Sequence, residues 1–481
     1  MRFHLRGVSP LFLMLKNWYD INMILTDNRQ LISLLVDGRL PKDAYARLDA
    51  FNYQLMLAAK AGASVHENEV LKLNNCPYSR ELQGHFSIRD IFIEYWDRFL
   101  TLHADKNIRP AILDNVKRMM GCRDFKNGYL FFACPHCENY HIVGFSCHSR
   151  FCPSCGKKYR DARTLEIAKK CLAVPHRQFV FSIAKELRPY FRIYRELFDV
   201  LFLSVREALD YLVSGKSKIA KAEGRSLGYV QFLHTFGRDM KFNPHIHVLI
   251  AERTLDDAGK LAKFDYFNYE SLRKSFMRQL LHNIYLFLKD HASKSELSAF
   301  YQLKNQLFKR YVDGFYTHGP KLVAHSRVAI KQIAEYIARY AAHPAISESR
   351  ITAVDYVNHT ISYYYDPHED DNLDNESLKR GRQFVTESVF DFIRKLIIHI
   401  PDKGFHTVRY YGFYANRSKL PRKQHTALYA RHEIVQMKKR LFWRFNIYHA
   451  YRFDPLLCHC GHQMVLIYDL SFFPDSKYGG G

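Results

Sequence analysis

The sequence has 481 residues, enough for roughly two to four domains with well-buried cores. Its 47% hydrophobic and 25% charged residues are typical of a globular protein and exclude a largely disordered chain. Lysine and arginine outnumber aspartate and glutamate by 71 to 48, a formal net charge of +23. Positive charges in such excess repel one another, so we expect the protein to bind a polyanion, most simply nucleic acid. A basic enzyme without that partner, or a membrane-surface protein, is the alternative.

Hydrophobic periodicity predicts the elements in chain order. Helices are predicted at residues 23–85, 86–120, 190–214, 265–310 and 327–342, and strands at 179–183, 228–236, 245–250 and 351–365. A turn at 237–244 makes a hairpin of the second and third strands, and the acidic stretch 366–380 indicates a linker. The predicted division is a helical extension at 1–85, a helical and zinc-ribbon domain at 86–172, a sheet domain at 173–365 and a basic region at 381–481.

The N-terminal stretch gives no membrane signal. The apolar residues 11–15 are too few to span a bilayer and are followed by Lys16 and Asp20. The first 22 residues precede Met23 and are interpreted as an upstream start. We expect a bacterial cytoplasmic, nucleoid-associated protein without a membrane partner.

Two Cys-x-x-Cys pairs are the most specific motif in the chain. Cys134 and Cys137 are followed, after 14 residues, by Cys152 and Cys155. Thiolates at this spacing suit tetrahedral Zn²⁺, so these four are predicted to hold one structural zinc ion in a reducing compartment. Cys147, which lies between the two pairs, is a possible substitute ligand or a supporting residue, and His136 and His141 are weaker candidates.

Basic residues follow the second pair directly. Lys157, Lys158 and Arg160 are predicted to present a basic edge to DNA. Near the C-terminus, Cys458 and Cys460 have a spacing too tight for an ordinary pair. A second metal site and a structural remnant both remain open there.

His245 and His247 lie two residues apart on a predicted strand, so their side chains point to the same face. Two adjacent imidazoles suit one divalent cation. Short matches of this kind also arise by chance in a chain with 25 histidines, so an incidental pair is the alternative.

Tyr336 and Tyr340 lie four residues apart on the predicted helix 327–342 and therefore share one face. By spacing alone, packing of both tyrosines at the edge of a core is the alternative to a functional role. Lys331 and Arg339 on the same helix are candidates for lowering a tyrosine pKa, and Arg339 is also a candidate for DNA contact.

In this order, the motifs resemble those of the two-tyrosine HUH transposases of the insertion sequence 91 family. The resemblance extends from about residue 85 to 465 and is carried by residues 146–155, 234–247, 335–350 and 404–412. It implies an α+β fold whose central antiparallel sheet carries both histidines, with a tyrosine helix across it. A zinc-ribbon and helical domain would precede this core, and a mixed C-terminal region would follow.

The resemblance also implies a mechanism. The family's catalytic Mg²⁺ or Mn²⁺ would bind His245 and His247, with Gln231, His234 and Asp239 left open as the third ligand. Tyr336 and Tyr340 would be the nucleophiles. The expected reaction is rolling-circle transposition, with cleavage and rejoining of single-stranded, hairpin-forming element ends and target DNA through a 5′-phosphotyrosine, and without a small-molecule cofactor.

Two other classes of protein share some of these features. A rolling-circle replication initiator or a relaxase-like nickase would use the same histidine and tyrosine pairs, but the upstream zinc ribbon favours the transposase. A non-catalytic zinc-ribbon regulator would account for the charge and the cysteines, but it leaves the two pairs unexplained.

Overall fold

The structure is a computed structural model that describes most of the chain from residue 86 onward. The predicted extension 1–85, the predicted tyrosine helix 327–342 and almost all of the predicted linker 366–380 lie outside the described residues. The described residues are 86–124, 127, 129–137, 140–214, 224–264, 266–319, 321–322, 345–366, 381–415, 434–435, 438, 444, 454 and 456–470.

These residues form eight α-helices and thirteen strands. The helices are α1 (Ile88–Leu102), α2 (Pro110–Met120), α3 (Pro153–Lys170), α4 (Arg188–Ile193), α5 (Leu197–Ser214), α6 (Tyr269–His291), α7 (Lys294–Arg310) and α8 (Val389–Ile397). The strands are β1 (Tyr129–Ala133), β2 (Tyr140–Gly144), β3 (His176–Ser182), β4 (Ser226–Phe236), β5 (Phe242–Leu255), β6 (Leu261–Lys263), β7 (Thr317–His318), β8 (Lys321–Leu322), β9 (Ile351–Asp355), β10 (Thr360–Tyr365), β11 (Gln383–Ser388), β12 (Val408–Gly412) and β13 (Val465–Leu470).

The described residues form two compact units. One lies within Met1–Lys158 and Lys439–Gly481, and the other within Tyr159–Lys438. The N-terminal and C-terminal parts of the chain thus fold together, with the second unit inserted between them in sequence. The finer predicted division at 86–172, 173–365 and 381–481 remains a prediction.

The first unit combines helices α1 and α2 with a three-stranded antiparallel sheet in the order β13-β1-β2. Helix α1 is amphipathic and buries one apolar face. The sequence predicted one helix over 86–120, but the structure has two. The second, α2, begins at Pro110, where proline's fixed φ suits the first helical turn. The buried face of α1 consists of Ile88, Ile91, Phe92, Tyr95, Trp96 and Phe99.

The second unit is built on a seven-stranded sheet. Its main path runs β12-β4-β5-β3-β7 with antiparallel pairing, while β6 pairs with β5 and β8 pairs with β3. A separate three-stranded sheet has the order β11-β10-β9. The expected mixture of helices and an antiparallel sheet is confirmed.

Strand β5 is buried on both faces, and alternate residues enter different cores. Ile246, Val248 and Ile250 belong to a large core that includes residues of helices α5 and α6. Leu249 and Ala251 belong to a smaller core that includes residues from the end of α3. Because side chains alternate along a strand, the histidines share the face of the smaller core.

Most predicted elements of the second unit are observed with shifted ends. The predicted helix over 190–214 is divided into α4 and α5, and the region 265–310 forms α6 and α7. The predicted hairpin is present, but β5 extends from Phe242 to Leu255, well beyond the predicted 245–250. Helix α7 begins with a capping box between Ser293 and Glu296, a local signal that fixes its start. None of the described helices is long and apolar enough to cross a bilayer.

A buried histidine joins the end of α3, strand β3 and the segment after β12. The Nδ1–H of His176 donates to the carbonyl of Val174 at 2.7 Å, so its Nε2 accepts from the Tyr414 hydroxyl at 2.9 Å. The Leu172 amide donates to that hydroxyl oxygen at 3.1 Å. Burial lowers the pKa of His176 to about 4, so the folded protein holds this side chain neutral.

This network makes stability sensitive to acid. The folded pKa lies below the ordinary value of 6.5, so the unfolded chain binds the proton first and stability falls as the pH drops from about 6.5 to 4. We expect the protonation linkage of His176 alone to lower the free energy of unfolding by about 2 kcal/mol between pH 7 and pH 5. Urea unfolding of His176→Gln, followed by circular dichroism, should show a weaker pH dependence than the parent. The exposed His282→Gln is the control, and equal slopes for the parent and His176→Gln would contradict the assignment.

Candidate catalytic centre and thiolate clusters

The two predicted histidine ligands lie side by side in the seven-stranded sheet. His245 and His247 occupy the same face of β5, and their Nε2 atoms are 3.0 Å apart. Strand β5 is hydrogen-bonded to β4 on one side and to β3 on the other. The pair therefore sits on a rigid element, held by two hydrogen-bonded ladders.

A third histidine joins the pair from the neighbouring strand. His234 on β4 lies directly opposite His245 in the register. Its ring centroid is 5.6 Å from that of His245 and 4.8 Å from that of His247. One ring nitrogen from each of the three lies within 4.8 Å of the others. The three imidazoles form a single cluster that could hold one ion.

The other two candidates for a third ligand are placed less favourably. Gln231 pairs with Val248, whose side chain lies in the large core, so its amide is on the face opposite the histidines. Asp239 lies in the β4–β5 turn, where its carboxylate accepts from the Lys241 amide at 3.0 Å and pairs with the Lys241 ammonium at 3.1 Å. Among the three residues that the sequence left open, the geometry favours His234.

The surroundings of the cluster favour the neutral form of its imidazoles. The Nδ1 of His245 lies 2.7 Å from the Asn243 carbonyl, which can only accept, so Nδ1 carries the proton and Nε2 offers its lone pair. Burial, and then the neighbouring His245 and His234, lower the pKa of His247 well below its ordinary value. Neutral imidazole is the form that binds metal ions.

The spacing of the nitrogens fits a divalent cation. Two ligands at right angles, each about 2.1 Å from an ion, are about 3.0 Å apart, which matches the Nε2 separation of His245 and His247. Three imidazoles would leave half of an octahedral shell for water and phosphate oxygens, the ligands that Mg²⁺ and Mn²⁺ prefer. The same nitrogens also suit Zn²⁺, so the donor set by itself does not choose the ion.

The predicted nucleophiles and one predicted DNA contact are not among the described residues. Tyr336, Tyr340 and Arg339 fall in the segment 323–344. In sequence this segment connects β8, which belongs to the histidine sheet, to the start of the smaller sheet at β9. The nucleophile assignment therefore rests on the sequence motif.

The eight described cysteines of the first unit form two groups of four. In the first cluster, Cys152 and Cys155 meet Cys147 and Cys122, with Sγ–Sγ distances from Cys155 of 3.6 Å to Cys147 and 3.7 Å to Cys122. In the second cluster, Cys134 and Cys137 meet Cys458 and Cys460.

This arrangement corrects the predicted grouping. The structure does not bring Cys134 and Cys137 together with Cys152 and Cys155 around one ion. The two Cys-x-x-Cys pairs belong to separate clusters, because β13 returns to β1 and brings the C-terminal cysteines to the first pair. Cys122 was missed because it is isolated in sequence, whereas Cys147 was already a possible substitute ligand.

Two arginines fasten the cysteines of the first cluster to the helices. Arg89 of α1 donates to the Cys122 carbonyl at 3.0 Å, and Arg118 of α2 donates to the Cys147 carbonyl at 2.8 Å. Hydrogen bonding with Cys122 lowers the pKa of the Cys155 thiol and raises that of Cys152. Four thiolates this close repel one another, so holding all four in the ionised form requires a cation.

The predicted basic edge lies on a helix that starts within the first cluster. Helix α3 begins at Pro153, directly after Cys152, and carries Lys157, Lys158 and Arg160 on half-buried positions. Arg160 also lies 3.7 Å from the Asp161 carboxylate. Their contact with DNA stays a prediction.

Comparisons with known proteins match both units. A family model described as "Transposase zinc-binding domain" matches residues 91–183, and one described as "Putative transposase" matches residues 228–421. The chain is 27% identical over 331 residues to the transposase for insertion sequence element IS801 of Pseudomonas savastanoi pv. phaseolicola, covering 66% of this chain and 73% of that one. The chain belongs to the insertion sequence 91 family of transposases.

A second relative is similarly distant. The "Putative transposase y4qJ" of Sinorhizobium fredii is 23% identical over 343 residues, which cover 69% of this chain and 80% of that protein. No solved structure matches the chain. Membership in the family makes this transposase a DNA-processing enzyme with DNA as its partner, and the zinc-binding domain together with the thiolate clusters indicates structural zinc.

The histidine cluster can be tested by metal binding. Replacing His234 with alanine removes one of three converging nitrogens, so we expect the affinity for Mn²⁺ to fall by a factor on the order of 100. Titration calorimetry on the full chain measures this. Gln231→Leu is the matched control because Gln231 lies on the same strand but on the opposite face. Unchanged affinity in His234→Ala would remove His234 from the site.

The regrouped first cluster makes a separate prediction. Cys122→Ser should lose the same single equivalent of zinc as Cys152→Ser, and the double variant should lose no more, since both thiols serve one ion. Zinc content by mass spectrometry checks this. The buried Cys171→Ala, which belongs to neither cluster, should keep all of its zinc. Full zinc retention in Cys122→Ser would contradict the grouping.

Proposed function

We propose that this transposase cleaves and rejoins single-stranded DNA by metal-dependent transesterification, with Tyr336 and Tyr340 as nucleophiles. The convergence of His234, His245 and His247 on one face of the sheet carries the proposal. Rolling-circle mobilisation of an insertion sequence, with hairpin-forming element ends and a target strand as substrates, is the biological reaction that we infer.

The histidine strand supplies a fixed place for the scissile phosphate. Since β5 is hydrogen-bonded on both sides, the imidazoles need little reorganisation when DNA binds. A bound Mg²⁺ or Mn²⁺ would supply charge stabilisation to a non-bridging phosphate oxygen. Below the histidines, the smaller apolar core supports this face of the sheet.

The tyrosines would carry the covalent chemistry. The phenolate of one tyrosine attacks phosphorus and forms a tyrosine–phosphate ester with the 5′ end, while the bond to the 3′ oxygen breaks and releases a 3′-OH. One phosphate ester replaces another, so the step needs no ATP. Attack by a 3′-OH on the tyrosine ester rejoins DNA, and a second tyrosine allows another strand to be held meanwhile.

The zinc-binding unit would bind the DNA without taking part in the cleavage reaction. The first thiolate cluster fixes the start of α3, whose Lys157, Lys158 and Arg160 would contact phosphates. Arg339, beside Tyr340 in sequence, would contact the strand near the reacting phosphate or stabilise a tyrosinate. In this proposal, lysine and arginine side chains provide the affinity for DNA, and the histidines and tyrosines carry out cleavage and rejoining.

A purely DNA-binding regulator accounts for less of the molecule. It would need the charge and the thiolate clusters, but it would not need three buried or half-buried imidazoles whose nitrogens converge in a rigid sheet. A replication initiator or a relaxase would share the proposed chemistry. Family membership favours transposition over both.

The covalent intermediate gives the most direct test. A single-stranded oligonucleotide that carries an element end, incubated with the protein and Mn²⁺, should give a protein–DNA band that survives denaturation. Tyr336→Phe plus Tyr340→Phe should abolish the band, because phenylalanine has no hydroxyl to form the ester. A band that persists in this variant would show that the nucleophile is another residue.

The metal ligands should separate chemistry from binding. His245→Ala should lower the cleavage rate by a factor on the order of 1000, yet leave oligonucleotide affinity within about twofold because phosphate contacts come from lysine and arginine. Lys157→Ala plus Lys158→Ala should do the reverse and weaken binding. Fluorescence anisotropy and gel assays of cleavage measure the two effects. Equal loss of binding and cleavage in His245→Ala would argue against a catalytic role.

A further inference from the structure

Two segments from opposite ends of the chain meet in the first unit. Cys134 and Cys137 lie between β1 and β2, whereas Cys458 and Cys460 lie just before β13. Strand β13 pairs with β1 in antiparallel register, from Tyr129 opposite Leu470 to Ala133 opposite Val465. The pairing brings together thiols that are more than 320 positions apart in sequence.

The sulfur positions fit one tetrahedral ion. Cys134 Sγ lies 3.5 Å from Cys460 Sγ, and Cys137 Sγ lies 3.3 Å from Cys458 Sγ. All four sulfurs lie within 4.8 Å of one another, and no disulfide joins them. Four thiolates about 2.3 Å from zinc are about 3.8 Å apart, near the observed separations.

A tight turn explains why the short Cys-x-Cys spacing works. The Cys458 amide donates to the His462 carbonyl at 2.9 Å, and the Gly461 amide donates to the Cys458 carbonyl at 2.9 Å. Gly461 has a φ of +83°, a conformation that glycine adopts without strain. The turn points both thiols at the opposite hairpin, where the His136 amide also donates to Cys134 Sγ at 3.4 Å.

Apart from the pairing of β13 with β1, the described apolar contacts at this end of the unit are few. Among the described residues, the core around the thiols has Phe132, Val143 and Met464 buried, with Leu130 and Leu456 partly buried against them. A cluster of this size buries too little apolar surface to order two distant segments by itself. Small domains with such cores commonly depend on a metal ion.

We propose that Cys134, Cys137, Cys458 and Cys460 hold a second structural zinc ion that fastens the C-terminal strand β13 to the N-terminal hairpin. Cys458 and Cys460 lie outside both regions that the family models match. The second zinc joins the two segments of the first unit that flank the second unit in sequence, so the first unit is complete only when residues 456–470 are in place. The site is independent of the nuclease chemistry proposed above.

Two exposed histidines offer a rival ligand set. The rings of His136 and His462 are stacked with centroids 3.9 Å apart, and one nitrogen of each lies near Cys460 Sγ. The four sulfurs are buried or half-buried, and thiolates are the softer donors that zinc prefers in structural sites. We therefore assign the ion to the thiols and place the histidines beside it.

Zinc counting tests the proposal on the full chain. All variants carry His245→Ala and His247→Ala, so that the nuclease site does not contribute to the zinc content. The parent should hold two zinc ions per chain, and adding Cys458→Ser plus Cys460→Ser should leave one. His136→Ala plus His462→Ala should leave two. Two ions retained in the cysteine variant, or one in the histidine variant, would overturn the four-thiol site.

A second measurement does not depend on whether those variants fold. In the unmodified chain, Cys134, Cys137, Cys458 and Cys460 should react with N-ethylmaleimide about tenfold faster, and all together, after a chelator removes zinc. Mass spectrometry of peptides locates the modified thiols, and Cys152 reports the first cluster in the same sample. If Cys458 and Cys460 react equally fast with and without chelator, while Cys152 reacts slowly until the chelator is added, the second site is refuted.

Discussion

The pairing of strands β4 and β5 is the constraint on which the candidate catalytic centre depends. Their register places His234 opposite His245, and the two-residue period of β5 adds His247 on the same face. A slip of one residue would turn the histidines toward the helices and the large apolar residues toward the opposite face. The core that includes Ile246, Val248 and Ile250 therefore holds the histidine register in place.

The same sheet shows how buried polar groups are kept tolerable. His176 lies among apolar neighbours but exchanges hydrogen bonds with the Val174 carbonyl and the Tyr414 hydroxyl, and it is neutral. Arg177 and Glu252, on paired strands, form an ion pair at 2.8 Å with the carboxylate almost fully buried. By contrast, the buried Gln231 amide has no hydrogen-bond partner among the residues that the structure describes, an arrangement that costs stability. Nothing in the structure accounts for that glutamine.

The first unit depends on a different kind of constraint, because its parts are not contiguous in sequence. Its sheet has β1 at the centre, with β2 from the same hairpin on one side and β13 from the far end of the chain on the other. Two four-thiol clusters lie in this unit, and the described apolar core around the second of them is small. Arg89 and Arg118 connect one cluster to the helices, while the other cluster lies against the returning strand. This unit thus brings together cysteines that their spacing in the sequence does not group.

The sequence by itself determined the local features: the helices and strands with strong periodicity, the His245–His247 pair on one strand face, and the two Cys-x-x-Cys pairs. These follow from the 3.6-residue and two-residue periods and from short spacings, which act between near neighbours. It also predicted the family through the order of its motifs. Only the tertiary structure brought His234 rather than Gln231 or Asp239 beside the histidine pair, placed Cys122 beside Cys147, Cys152 and Cys155, and separated these from Cys134 and Cys137. Those choices depend on strand register and on the return of β13 to β1, contacts between distant residues that leave no local pattern in the sequence.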